Sequence, residues 1–347
     1  MSFTLMLTAT GGAMSTQTVR YAQESARHDI RVVAVDMSEL ATVRYFADVF
    51  ETVPPGGDPD YVDRVCDIVV RHDVDLILPC SDEEALALAP ARDRLEELGC
   101  RLACADSDTL RLMSDKSRTY ADLRAAGLPA PQAILADSPD ALLAAVTRFM
   151  DDRGEFVVKP ASGSRGGRGA RIIHQGVTGA RPFFAGRELE MDFETFRRDF
   201  LAEVTQALPQ LVCERLVTPA YDIDVLAVDG DAKRVVARRR LNPAGVPYRG
   251  YVVEARPDLV ELGIEIAKFL GISWLYDFDV MSDRDGKPSI LELNPRPSGS
   301  FATSIAAGVP LLDDLVSLAK GEDLPPIPAL RGARTILPVT LLETVRT

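Results

Sequence analysis

The sequence predicts a chain of mixed α/β and α+β class, in which a doubly wound α/β domain precedes a more strand-rich region. Over the first hundred residues, β-branched or apolar runs alternate with stretches able to form helices. Beyond residue 150 the apolar runs crowd together and are joined by short turn signals. A length of 347 residues exceeds one ordinary core and points to two or three domains.

The elements follow in order. Residues 5–8 and 30–35 read as strands, with a helix over 16–28, which holds neither Pro nor Gly. DLILPC (75–80) is a further strand, followed by a helix over 82–98 closed by Gly99 and a strand in RLACA (101–105). Gly11-Gly12, with Asp36 ending the second strand, invites a dinucleotide reading. ATGGAMST lacks G-x-G-x-x-G spacing, so the pair reads as a tight turn. Ser114 or Asp115 caps a helix running to Ala126 and stopped by Gly127. LPAPQ (128–132) is a stiff linker. Residues 156–159, 211–217, 223–228 and 234–241 read as strands, with Asp229-Gly230 as a hairpin turn. Residues 176–188 read as a loop insertion, and 258–270 and 311–320 as helices. These boundaries divide the chain into 1–112, 113–213 and 214–347.

Composition narrows the function. A net charge of −13 weighs against nucleic acid, whose binding depends on Lys and Arg neutralising phosphates. No apolar stretch approaches the ~18 residues of a membrane span. The start, MSFTLMLTATGG, reads as a first strand and not as a signal peptide. Five cysteines without CxxC spacing read as buried hydrophobes in a reducing compartment, so a cytoplasmic location is expected. His28, His72 and His174 fall into no triad or metal spacing.

WLYDFDVMSDRDGKPSILELNPRPSGS carries the most chemistry. With Asp285-Gly286 as a two-residue turn, paired positions sum to 571, so Asp279 faces Glu292 and Asp277 faces Asn294. Phe278, Val280, Leu291 and Leu293 fall on the other, apolar face. Two carboxylates at ~5 Å repel by ~3 kcal/mol at an effective dielectric of 20, which a cation would offset. Hard divalent ions take such oxygens, so Asp279, Glu292 and Asn294 fit a Mg²⁺ site, with Mn²⁺ as a substitute. Arg296, just beyond, is placed to stabilise charge on a transferring phosphoryl group. The competing reading is a solvated edge hairpin.

FVVKPASGSRGGRGARII (156–173) is neither a Walker A element nor G-x-G-x-x-G. Its Gly-rich turn can still form an anion-holding nest, with Lys159 adding a point charge and Ser162, Ser164 and Arg165 adding donors. The region around NPAGVPYRGYVVE (242–254) offers Arg249 as a carboxylate clamp and ends in Glu254.

The order Lys116, VVKP with Lys159, a Ser/Gly-rich loop, LVCERL with Glu214, then LELNPR resembles the ATP-grasp superfamily. The likeness is to its carbamoyl-phosphate-synthetase-like and biotin-carboxylase-like members, including carboxylate-amine ligases, and spans essentially the whole chain. It implies a Rossmann-like pre-ATP-grasp domain followed by a two-lobed ATP-grasp fold. ATP would lie between the lobes, with Lys116 and Lys159 on its phosphates and the loop (Ser162, Gly163, Ser164, Gly166, Gly167) as a lid. Glu214 and Leu216 would lie in the hinge that holds adenine and ribose, and Asp279, Glu292 and Asn294 would be the magnesium ligands. Arg296 would lie near the γ-phosphate, and Arg238 on a strand facing the acceptor. Ala220 stands where members often carry a glutamate for the ribose, with Asp222 as a substitute.

The implied reaction is ATP-dependent ligation of a small carboxylate to an amine through an acyl-phosphate, by a protein that can form a homodimer. The rivals are a phosphotransferase or carboxyphosphate-forming enzyme using the same site, and a nucleotide-binding module without turnover.

Overall fold

Three sheets organise the chain, a computed structural model of which describes residues 2–161, 169–183, 188–242, 249–327 and 332–339. The first sheet is wholly parallel, built from β1 (Phe3–Leu7), β2 (Ile30–Asp36), β3 (Val49–Thr52), β4 (Leu76–Leu78) and β5 (Arg101–Leu102) in the order β3-β2-β1-β4-β5. Alternate residues feed two cores. Leu5, Leu7 and Val32 face one side, and Met6, Val33 and Val35 the other, which is why these strands are apolar throughout.

The second sheet contains β6 (Ala133–Ala136), β7 (Glu155–Pro160), β8 (Arg171–His174), β9 (Arg181–Phe183), β10 (Glu188–Met191) and β11 (Gln210–Cys213), ordered β6-β11-β7-β8-β10-β9. Phe156 and Val158 of β7 pack beneath the helix Pro139–Arg153. Alternation therefore turns Lys159 to the opposite face. That helix starts where the Ser138 hydroxyl accepts from the Ala141 N–H and ends at left-handed Gly154.

The third sheet is antiparallel: β12 (Val217–Val228), β13 (Asp231–Arg240), β14 (Tyr251–Val253), β15 (Trp274–Ser282), β16 (Pro288–Asn294) and β17 (Arg334–Ile336), ordered β16-β15-β12-β13-β14-β17. One face packs Ile223, Val225, Ala237, Phe278 and Leu293 against the helix Pro257–Leu270. The other carries the polar site described below. At its far end Leu226, Val236 and Leu275 join the core of the first sheet.

Several expectations shift. The first helix is Ser15–Gln23, because the Ser25 hydroxyl accepts from the Arg27 and His28 N–H groups and turns the chain. The stretch 82–98 is a helix (Asp82–Leu88), a short 3₁₀ turn and a second helix (Arg92–Glu97), because Pro90 removes a donor. The run 211–217 is two strands in different sheets, parted at Glu214–Leu216. Within 176–188, expected as loop, lies β9, while 184–187 fall outside the described residues. The helix Pro139–Arg153 and β3 carried no expectation.

The hairpin turn is also longer than expected. The Asp283 N–H donates to the Lys287 carbonyl and the Gly286 N–H to Asp283, with Gly286 at φ +79°. This offsets the pairing by one near the turn, with Val280 opposite Ile290. An irregularity after Asp279 restores Asp279 opposite Glu292 and Asp277 opposite Asn294. Leu291 absorbs the extra residue, leaves the apolar face and is replaced there by buried Ile290.

Candidate active site

The site grows from one face of the third sheet. Arg238, Asp222, Asp279 and Glu292 are successive neighbours across β13, β12, β15 and β16, and Asp224, Asp277 and Asn294 form the next row. Residues at spacing two on each strand share this face, so the antiparallel order gathers five carboxylates. Charge so concentrated requires cations, and the chain supplies them from three elements.

Two come from β13. Arg240 donates from Nε to Asp222 at 2.6 Å and from a terminal nitrogen to Asp279 at 2.8 Å. Arg238 is fully buried, donating to Asp224 at 2.8 Å, to the Ser300 hydroxyl at 2.8 Å and to Thr303 at 3.1 Å, with its guanidinium 4.8 Å from the Tyr251 ring centre. This corrects the expectation of Arg238 as an open catalytic group. It is the buried centre of the acidic face, and Arg240, two residues on, stands beside Asp279.

Lys116 is the first residue of the helix Lys116–Ala125, which Asp115 caps by accepting from the Arg118 N–H. Its Nζ lies 2.8 Å from Glu292 Oε1. One turn on, the Tyr120 hydroxyl donates to the Leu291 carbonyl at 2.5 Å, and Lys159 Nζ donates to that hydroxyl oxygen at 2.8 Å. The bulge at Leu291 thus anchors the helix, and Tyr120 joins Lys159 of the second sheet to the third. Arg296 follows β16 and spans from Asn294 Oδ1 (3.3 Å) to Asp82 Oδ1 (3.0 Å), where the helix after β4 begins.

Protonation follows these contacts. Burial pushes Asp279 up to about 6, with Asp222 and Glu292 adding repulsion against the opposing pull of Arg240. Burial also opposes ionisation of Glu292, but Lys116, then Lys159 and Arg296, hold its carboxyl below the usual range. For Lys159, burial disfavours the charge, yet Tyr120, Cys213 and Glu292 outweigh it and raise its pKa. Burial pushes Glu188 of β10 up to about 7; Lys159 and Arg240 oppose this and Glu292 adds to it. Glu188 is therefore a member of the site that the sequence did not reveal, as is Tyr120.

Asp279, Glu292 and Asn294 come together as expected and offer three hard oxygens on adjacent strands. Among the described residues, no group of three or more His, Cys, Asp or Glu is arranged to hold a metal alone. A set of two carboxylates and an amide suits Mg²⁺, which typically adds phosphate oxygens and water to one or two carboxylates. The buried Asp277 Oδ1, which accepts no hydrogen bond, and the raised Asp279 show a face that favours added positive charge.

Other expectations fare differently. Glu214–Leu216 crosses between the second and third sheets, and the Glu214 carboxylate pairs with Arg153 at 2.6 Å. Asp222 is buried against Arg240, which removes it from a ribose role. Glu254 corrects a substrate assignment: it accepts from Tyr221 at 2.9 Å and Arg239 at 3.1 Å. Those residues alternate with Asp222 and Arg238, so Glu254 lies on the sheet face away from the acids. Arg249 is exposed. Ser162, Gly163, Ser164, Gly166 and Gly167 lie outside the described residues. Among the described residues, no helix is long and apolar enough to cross a membrane.

Comparison with known proteins supplies the context. Residues 206–343 match the family described as ATP-grasp in the biosynthetic pathway with Ter operon, and residues 5–103 match the PylC-like N-terminal domain. No curated protein matches. N5-carboxyaminoimidazole synthetase of Staphylococcus aureus superposes at TM-score 0.68 with 16% identity, over 94% of this chain and 79% of that one. L-amino acid ligase of Bacillus licheniformis gives 0.65 with 16% identity, over 96% and 78%. The biotin carboxylase domain of the Hydrogenobacter thermophilus 2-oxoglutarate carboxylase, solved with MgADP, ADP and bicarbonate, gives 0.65 with 19% identity, over 93% and 71%. The chain thus carries a PylC-like N-terminal match followed by an ATP-grasp match, and it shares the fold of these three structures.

Proposed function

We propose that the protein is an ATP-dependent carboxylate-amine ligase that joins a small acid to an amine and releases ADP and phosphate. The observation that carries this reading is the meeting of Lys116, Lys159 and Arg296 with Asp279, Glu292 and Asn294 between the second and third sheets. Cations suited to phosphates face oxygens suited to Mg²⁺, and no nucleophilic side chain is needed.

In this reading Lys116 and Lys159 bind the phosphates of ATP, and Glu214 to Leu216 hold the adenosine. Asp279, Glu292 and Asn294 would hold Mg²⁺, whose chemistry is to neutralise phosphate oxygens during transfer. A substrate carboxylate oxygen attacks the γ-phosphorus, the bond to the ADP oxygen breaks, and an acyl-phosphate forms. Arg296 stabilises the charge on the moving phosphoryl group. The amine nitrogen then attacks the acyl carbon, phosphate leaves, and the amine loses a proton. Fixed positions and charges carry the catalysis. For function the chain divides at 1–112, 113–213 and 214–347, the last part carrying the metal ligands.

The test is ADP release screened over pairs of small carboxylates and amines. Release stimulated by a matched pair supports the ligase. Full stimulation by a carboxylate without amine would replace it with phosphoryl transfer, and no stimulation by any pair would leave only nucleotide binding.

A further inference from the structure

Asn294 carries an amide whose oxygen and nitrogen are nearly equal in size, so its useful orientation must be imposed by neighbours. Asn294 Nδ2 donates to Asp277 Oδ2 at 2.9 Å, across the β15–β16 pair, and Asn294 Oδ1 accepts from Arg296 at 3.3 Å. Both residues are buried. An arginine only donates, so the Arg296 contact marks the amide oxygen and leaves the nitrogen to donate to Asp277.

Asp277 is itself held. Its Oδ1 lies 3.6 Å from buried Arg238, which is anchored to Asp224, Ser300 and Thr303. A chain of contacts thus runs from the core to Asn294. We propose that Asp277 is a positioning residue that aims the Asn294 amide oxygen toward Arg296 and the Asp279–Glu292 pair, and thereby sets the affinity of that oxygen set for a divalent cation. This rests on the reading of Asp279, Glu292 and Asn294 as metal ligands. Partners that orient a ligand typically contribute about 10- to 100-fold in metal affinity.

The experiment exchanges the two groups. In Asp277→Asn the new amide can donate to Asn294 and turn its nitrogen toward the cation. In Asp277→Asn/Asn294→Asp, donor and acceptor are swapped and an oxygen again faces the site. Mn²⁺ binding in the presence of ADP is read from the free-ion electron paramagnetic resonance signal, with thermal unfolding measured on each protein. Asp277→Asn should bind Mn²⁺ about tenfold or more weakly, and the double variant should recover to within about threefold of wild type. A folded Asp277→Asn with wild-type affinity, or a double variant no tighter than Asp277→Asn, overturns the proposal. If Asp277→Asn does not fold, the double variant is compared with Asn294→Asp, which sets two carboxylates against each other; equal affinities overturn the proposal. Absence of Mn²⁺ uptake by the wild type with ADP would instead sink the metal-site reading itself.

Discussion

Lys116 and Glu292 are joined at 2.8 Å, linking the helix Lys116–Ala125 to β16. The cation proposed for ATP phosphates thus rests on a carboxylate proposed for Mg²⁺, and nucleotide with metal would redirect both. Glu292→Gln is expected to lower ADP formation by at least about 100-fold while unfolding stability changes by only about 1 kcal/mol, because the lost ion pair is offset by less repulsion with Asp279. Turnover and urea unfolding on the same preparation check this.

The two arginines of β13 should separate. Arg238→Met removes the cation at the centre of buried Asp222, Asp224 and Asp277, and is expected to cost about 3–5 kcal/mol. Arg240→Met, at the edge of the same face, should cost less stability and weaken Mg-ATP binding more. Parallel denaturation and nucleotide titrations decide, and equal stability losses would contradict the assignment.

Tyr120→Phe removes the hydroxyl that bridges Leu291 and Lys159. We expect a stability loss of about 1–2 kcal/mol and a several-fold rise in KM for ATP with kcat less affected. Steady-state kinetics with ATP as the varied substrate supply the readout.

Protonation gives an independent test. Burial pushes Glu188 up to about 7 and Asp279 up to about 6, above their ordinary 4.5 and 3.8. An acid whose folded pKa is raised contributes stability that is present below its unfolded value and lost as pH rises through the folded one. The ligand-free protein should therefore lose stability between about pH 4 and 7, and Glu188→Gln should flatten the upper half of that decline. Thermal melts across this range measure it, and an unchanged slope in Glu188→Gln would remove Glu188 from the site.

The sequence disclosed the acidic hairpin because turn signal and alternation are local. The expected register at Asp279–Glu292 is observed for a compensated reason: a longer turn shifts the pairing and the irregularity at Leu291 shifts it back. Glu188 and Tyr120 were not legible, nor was the contact of Arg240 with Asp279. Their roles depend on which strands lie side by side and on how a residue of β10 approaches the third sheet, and neither follows from spacing along the chain. Glu254 was misplaced for a related reason, since its side of β14 is set by pairing with β13.

In the proposed function, Mg-nucleotide binds between Lys116 and Lys159 on one side and Asp279, Glu292 and Asn294 on the other. Calorimetric titration of ADP, with and without Mg²⁺, into wild type, Lys159→Met and Glu292→Gln tests it most directly. One site per chain is expected, dependent on Mg²⁺ in wild type and weakened about tenfold or more in each variant. Equal, Mg²⁺-independent binding to all three proteins, or no binding to any, would contradict it.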